Sequence, residues 1–165
     1  MLALLFAALV ATRSHVTINR TIHLAASPSA VFPLFGPFGE KRWAGKSWQP
    51  HAIATAEELD REGLVFRDAA DGDATWVTSR FDENAHVVQY VIFRPDLVAQ
   101  IRIEVMADGT GSVAKIAYDL TALTEAGDTI VEHHGKAIEG HLGSWEHFIN
   151  AALEKHQASA SGHPR

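Results

Sequence analysis

The longest amphipathic pattern in the chain lies at residues 128–155 and predicts one long helix. Apolar and aromatic side chains recur there at steps of three and four, which places them on one face of an α-helix. The opposite face is charged, as expected where a helix meets water. The apolar face comprises Ile130, His134, Ile138, His141, Leu142, Trp145, Phe148, Ile149, Ala152 and Leu153. Such a helix is about 40 Å long and needs a broad apolar partner, against which we expect Trp145 to be buried.

Three glycines interrupt this helix, at Gly135, Gly140 and Gly143. Each is expected to cost roughly 1 kcal/mol relative to alanine. They are useful if a packed strand or a bound molecule must approach the helix backbone closely. A loosely packed or bent helix is the alternative.

Upstream, strict alternation of apolar and polar residues at 15–25 predicts a strand with one buried face. Further alternating or apolar runs predict strands at 51–57, 63–67, 75–81, 87–93, 98–106 and 113–121. The pairs Asp71–Gly72 and Asp108–Gly109 are typical of two-residue hairpin loops. Because short turns join consecutive strands, the sheet should be antiparallel.

Short helices and an aromatic loop separate the first two strands. Ser27 and Pro28 indicate a helix start, and Pro33 limits its length. The following stretch, 35–50, is rich in glycine and proline but carries four large aromatic residues: Phe35, Phe38, Trp43 and Trp48. Aromatic side chains in a loop must cover something apolar, so this loop either closes the core or forms a lid over a cavity.

The chain has 165 residues and predicts one domain at 15–156, with an apolar segment at 1–14 and a disordered tail at 157–165. The run 1–11 is too short to span a bilayer, so we expect no stable membrane insertion. A signal-peptide core, a wrongly assigned start and a short packed helix all remain open for it. A cytoplasmic location is slightly favoured over export, and the oligomeric state is left open.

Composition excludes several classes of function. The formal net charge is −6 and the basic residues are scattered, so no nucleic acid partner is expected. The chain has no cysteine, which excludes disulfides and thiolate metal sites. It also lacks a phosphate loop and a dinucleotide fingerprint, and we expect no cofactor. His133 and His134 are adjacent and point about 100° apart on a helix, so we assign no metal site.

The order of elements is strand, short helices with a loop, six strands and a long C-terminal helix. Several segments in that order resemble the START-like superfamily, and most of all small bacterial proteins of its SRPBCC group. The segments are 30–35 (AVFPLF), 39–43 (GEKRW) with Trp48, 63–66 (GLVF), Thr75 and Trp76 with Arg80, 90–95 (YVIFRP), 121–127 (TALTEAG) and Trp145.

This superfamily includes birch-pollen-allergen relatives, START lipid-transfer domains and polyketide cyclase/dehydrase-like proteins. The resemblance implies an α+β helix-grip fold, in which a curved antiparallel sheet of about seven strands wraps around the C-terminal helix, with two short helices after the first strand. It also implies an apolar cavity between sheet and helix.

The expected partner is therefore a small hydrophobic molecule, lipid-like or polyketide-like, held in a cavity above roughly 300 Å³. An enzyme of the cyclase/dehydrase kind, with a buried His, Glu, Asp or Tyr of shifted pKa as acid or base, is one alternative. A protein-interaction module is another. We assign no catalytic residue. The residues expected to contact the ligand are Phe35, Phe38, Trp43, Trp48, Trp76, Thr78, Arg80, Tyr90, Tyr118, His134, Ile138, His141 and Trp145.

Alternation places Arg80 on the same strand face as Trp76 and Thr78, pointing into the cavity. A guanidinium group there needs an anionic partner. Glu40 beside the aromatic loop is the expected partner, in an ion pair that closes the cavity mouth. The alternative is that Arg80 anchors an acidic or carbonyl group of the ligand. A register shift of one residue would instead turn Arg80 to solvent.

Overall fold

The computed structural model describes residues 12–72 and 74–161, so the apolar run 1–11 and the end of the predicted tail lie outside the described residues. The chain forms β1 (His15–Leu24), α1 (Pro28–Val31), two 3₁₀ helices (Phe32–Phe35 and Gly39–Arg42), β2 (Pro50–Ala52), β3 (Val65–Asp68), a 3₁₀ turn (Ala69–Asp71), β4 (Thr75–Asp82), β5 (Val87–Phe93), β6 (Leu97–Asp108), β7 (Gly111–Ala122) and α2 (Glu125–Ser161).

The seven strands form one antiparallel sheet in the order β1-β7-β6-β5-β4-β3-β2. Consecutive strands pair from β2 to β7, and β1 adds to the far edge beside β7. The sheet curves around α2, with the short helices placed after β1. The predicted α+β helix-grip fold is thereby confirmed.

Helix α2 packs on β1, β7 and β6. Its most deeply buried side chains recur at steps of eleven, three, four and four residues, all of which return to one face of the helix: Val131, Leu142, Trp145, Ile149 and Leu153. Trp145 is 6% exposed, which confirms its predicted burial. Phe148 was placed on the apolar face but is 45% exposed. The buried stripe runs through positions 145 and 149, so a side chain at 148 projects beside it into solvent.

The helix glycines have different surroundings. A Cβ at Gly135 would lie 2.9 Å from Cγ1 of Val16, so the helix approaches β1 closely there. At Gly140 a Cβ would meet nothing within 4 Å, and at Gly143 its nearest neighbour would be Arg20 at 3.9 Å. Close strand packing therefore explains one of the three glycines.

Three predicted features of the sheet are wrong in detail. The strand expected at 51–57 is confined to Pro50–Ala52, and Ile53 just after it is 52% exposed. Because β2 is an edge strand with little to bury beyond that point, its pairing ends after one further backbone hydrogen bond, from the N–H of Ile53 to the carbonyl oxygen of Val65. The Asp71–Gly72 pair does not form a two-residue hairpin, since a 3₁₀ turn occupies Ala69–Asp71. At the other predicted hairpin the two loop residues are Gly109 and Thr110, one position later than expected.

A β-bulge changes the direction of Arg80. Thr78 pairs with Tyr90, but Arg80 pairs with Gln89, so Ser79 is an extra residue in β4. One inserted residue moves all later side chains of the strand to the opposite face. Arg80 therefore leaves the inner face, and its guanidinium binds Asp82 at 2.8 Å. The predicted Glu40–Arg80 ion pair is not formed.

Candidate functional site

A cavity of about 340 Å³ lies between the inner face of the sheet, α2 and the loop before β2. Its floor is aliphatic and is supplied by β5, β6 and β7. Its walls are aromatic, and all four tryptophans and both tyrosines of the chain line it. The floor residues are Ile92, Leu97, Ala99, Ile101, Ile103 and Leu120, and the aromatic residues are Trp43, Trp48, Trp76, Tyr90, Tyr118 and Trp145.

Hydrogen bonds hold the two tryptophans of the loop in place. The indole N–H of Trp43 donates to the carbonyl oxygen of Leu34 at 2.7 Å, and that of Trp48 donates to the carbonyl oxygen of Pro37 at 2.7 Å. Each bond ties a cavity-lining ring to backbone earlier in the same loop. The loop thus both closes the core and forms one wall of the cavity.

The carboxylate of Asp60 stabilises this loop through hydrogen bonds to its backbone. It accepts the backbone N–H groups of Phe38 at 2.9 Å and Gly39 at 3.1 Å. A Cβ at Gly36 would lie 2.2 Å from the same carboxylate, and one at Gly39 would lie 1.8 Å from the carbonyl oxygen of Pro33. These glycines therefore allow tight packing of the loop.

Exposed lining residues mark the opening of the cavity. Ser47, Ala70 and His141 line it and are also exposed to solvent, so the mouth lies between the aromatic loop, the turn after β3 and the middle of α2. At this rim Asp71 binds the guanidinium of Arg94 and accepts the indole N–H of Trp76 at 2.8 Å.

His134 also lies on the rim side of α2. Burial, the charge of Arg94 and the neighbouring His133 lower its pKa, which favours the neutral imidazole. Among the residues that the structure describes, no group of three His, Asp or Glu side chains is placed to hold a metal ion.

The carboxyl group of Glu40 is the most perturbed acid of the cavity. Glu40 is half-buried, and its side chain lines the cavity wall. Removal from bulk water, and then the charges of Asp60 and Asp68, raise its pKa well above the usual range. The empty cavity therefore favours the neutral carboxylic acid.

The two tyrosines near Glu40 differ in their hydrogen bonding. The Tyr90 hydroxyl donates to the carbonyl oxygen of Phe35 at 2.5 Å, whereas no partner is found for the Tyr118 hydroxyl among the described residues. Burial and the charge of Glu40 raise the pKa of both phenols, so both remain protonated. The indole N–H of Trp145 is buried and also lacks a partner in the described chain.

The structure brings nine of the residues predicted from sequence to the cavity: Trp43, Trp48, Trp76, Tyr90, Tyr118, His134, Ile138, His141 and Trp145. The other four lie elsewhere. Phe35 is fully buried behind Trp43, with 6.5 Å between ring centroids. Phe38 lies under the ammonium group of Lys41, and Thr78 is buried in the core. Arg80 is turned away by the bulge.

Two of the three acidic residues that line the cavity, and its one arginine, were not predicted from the sequence. Asp68, Asp71 and Arg94 all line the cavity but were not among the expected ligand contacts. Alternation along β5 placed Arg94 on the same face as Tyr90, and that was the available signal. No comparable signal exists for Asp68 and Asp71, because they come from a strand end and an irregular turn.

No helix in the described parts of the chain is long and apolar enough to cross a membrane. No sequence-family model matches the chain, and no curated protein matches it in sequence.

Solved structures share the fold at low sequence identity. Norcoclaurine synthase from Thalictrum flavum, in complex with dopamine and hydroxybenzaldehyde, is 15% identical with a TM-score of 0.65, over 94% of this chain and 97% of that one. The allergen Ara h 8.0201 is 16% identical with a TM-score of 0.64, over 86% of this chain and 99% of that one. CalU16 from Micromonospora echinospora is 16% identical with a TM-score of 0.56, over 84% and 73% respectively.

These neighbours share their fold with the chain, and it is the helix-grip fold that the resemblance in the sequence implied. At such low identity the likeness extends to the fold alone.

Proposed function

We propose that this protein binds a small, largely apolar molecule in the cavity between the sheet and α2. The observation that carries the proposal is the cavity itself, whose volume of about 340 Å³ lies within the range of small-molecule sites. Its aliphatic floor and aromatic walls would remove most of such a ligand from water. That burial supplies the main driving force for binding.

The lining favours a ring-bearing, polyketide-like molecule over a lipid with a long acyl chain. Six aromatic side chains surround a volume at the lower end of the usual range, and aromatic rings pack well against other rings. The same fold in norcoclaurine synthase holds dopamine and hydroxybenzaldehyde, both small aromatic molecules.

A specific observation also favours a second function, catalysis on such a ligand. Glu40 is a cavity acid whose pKa is raised by burial, which favours its protonated form, and the unpartnered hydroxyl of Tyr118 lies within its electrostatic influence. A neutral acid and a phenol can polarise a carbonyl group and assist proton transfer at the adjacent carbon. In this second function Glu40 is the expected acid.

Binding is tested with the neutral, polarity-sensitive dye prodan. The wild-type protein should enhance its emission saturably. Ala99→Phe, which fills the cavity floor, should abolish the enhancement. Ala117→Phe makes the same change on the outer side of the neighbouring strand β7 and should leave it intact. Equal binding by both variants would place the dye outside the cavity and contradict the proposal.

Catalysis is tested by exchange of the α-hydrogens of an aromatic ketone in heavy water. Faster exchange with the wild type than with Glu40→Gln supports an enzyme. Identical exchange, at the rate seen without protein, leaves binding as the function.

A further inference from the structure

The charged groups that line the cavity are mainly acidic. Glu40, Asp68 and Asp71 line it, together with one arginine, Arg94. Arg94 is already paired with Asp71 at the rim. Asp68 is 3% exposed and accepts the backbone N–H of Gln49 at 2.6 Å. The cavity therefore presents a surplus of carboxyl groups and no uncommitted arginine or lysine.

Glu40 is the carboxyl group left without a partner. Among the described residues its side chain makes no hydrogen bond or ion pair, and the nearby Tyr118 hydroxyl makes none either. Asp60 and Asp68 each satisfy backbone N–H groups, so they hold the loop together. Glu40 serves no such role, although burying a lone acid is costly. A ligand group that complements it would relieve that cost.

Two indole rings, those of Trp43 and Trp145, line the same cavity as this acid. Trp43 lies one turn after Glu40 in the chain, and its ring is 5.1 Å from that of Trp145 at an interplanar angle of 65°. Trp145 in turn contacts His141, with ring centroids 6.1 Å apart. Indole faces attract cations through their quadrupole, and a set of rings around one site is suited to an organic ammonium group.

We propose that the cavity selects a small organic cation, an amine with an apolar body, whose ammonium group pairs with Glu40 beside the Trp43 and Trp145 rings. This inference rests on the proposed binding function and names the class of ligand. The apolar body lies on the aliphatic floor of β5, β6 and β7.

The electrostatic surroundings of Glu40 support this class. The charges of Asp60 and Asp68 oppose ionisation of Glu40, and the same charges attract an ammonium group. Binding the cation should therefore release the proton of Glu40. A ligand carboxylate would instead meet Asp68 without a free cation to offset it. The other titratable groups of the cavity are Asp71, Arg94, His134, His141, Tyr90 and Tyr118.

Three ligands of one shape test the proposal: phenylbutylamine, phenylbutanol and phenylbutyrate, each competing with prodan at neutral pH. With the wild type, the amine should bind about tenfold more tightly than the alcohol, since one desolvated cation–π contact together with an ion pair contributes at least that much. Phenylbutyrate should bind more weakly than the alcohol. Equal affinities for amine and alcohol, or tightest binding of phenylbutyrate, would overturn the cation proposal and leave the proposed function standing.

Glu40→Gln removes the acid while keeping its shape. The ratio of amine to alcohol affinity should fall from about tenfold to about one. Glu57→Gln is the matched control, because it makes the same substitution at an exposed position outside the cavity and should keep the wild-type ratio. An unchanged ratio in Glu40→Gln would refute the assignment of Glu40.

Proton release provides a measurement on the unaltered protein. Calorimetric titration in two buffers of different ionisation enthalpy should show release of protons with phenylbutylamine and none with phenylbutanol. Equal values for the two ligands would count against the proposal even if Glu40→Gln does not fold. Failure of all three ligands and of prodan would instead refute the proposed function itself.

Discussion

The two helix glycines Gly135 and Gly140 should respond oppositely to the same substitution. Both lie inside α2, so alanine gains roughly 1 kcal/mol of helix propensity at either position. At Gly140 the new methyl group meets nothing within 4 Å, and Gly140→Ala should stabilise the protein by about that amount. At Gly135 the methyl group would lie 2.9 Å from Cγ1 of Val16.

Val16 cannot easily move away, because a β-branched side chain has few rotamers and β1 is held by its pairing with β7. Overpacking of this kind costs about 1–3 kcal/mol, which exceeds the gain in propensity. Gly135→Ala should therefore be destabilising by about 1 kcal/mol, so the two variants should differ by about 2 kcal/mol.

Urea denaturation followed by circular dichroism measures both values. The double variant Val16→Ala/Gly135→Ala should be more stable than the sum of the single changes implies, because it removes the clash. If Gly135→Ala proves as stable as Gly140→Ala, the helix does not approach β1 as described, and the packing of α2 on the sheet is wrong.

Three further predictions concern the core, the bulge and the buried acid. Trp145→Ala should cost about 3–5 kcal/mol in urea denaturation, whereas Trp145→Phe should cost much less because its indole N–H has no partner to lose; equal costs would contradict that account. Arg80→Met should leave the urea midpoint and the affinity for prodan nearly unchanged, since Arg80 is a partly exposed partner of Asp82. A loss of prodan binding would instead show that Arg80 lines the cavity. Glu40 has a raised pKa in the folded protein, so the folded state binds more protons than the unfolded state above the ordinary value of 4.5. Stability should consequently fall as pH rises through the raised pKa, and Glu40→Gln should flatten that slope; parallel pH profiles for the two proteins would refute the burial of Glu40.

Much of the candidate site was accessible from residue type and spacing. The tryptophans, the tyrosines and the α2 face residues His134 and Ile138 were expected at the cavity, and they line it, whereas Phe35 and Phe38 do not. Large aromatic side chains in a glycine-rich loop, and an apolar stripe on a long helix, must both bury against something. Residues 12–72 and 74–161 form only one sheet for them to face.

The acidic character of the site was not accessible in that way. Glu40 was expected to be half of an ion pair, because a local strand pattern placed Arg80 opposite it. The pattern holds up to Thr78, and then Ser79 inserts a bulge that no periodicity reveals. The expected partner faces outward, and Glu40 is left without a counter-ion.

The sequence by itself determined the strands, their antiparallel order and the long helix, because periods of 2 and about 3.6 are properties of neighbouring residues. Tertiary structure alone decided which groups meet. Trp43 and Trp145 come from opposite ends of the chain, yet their rings lie 5.1 Å apart. The pKa of Glu40 depends on Asp60 and Asp68, whose positions follow from how a loop and a strand end pack. Contacts between distant segments and the desolvation they cause have no local pattern, so the cavity and its charge appear only once the chain is folded.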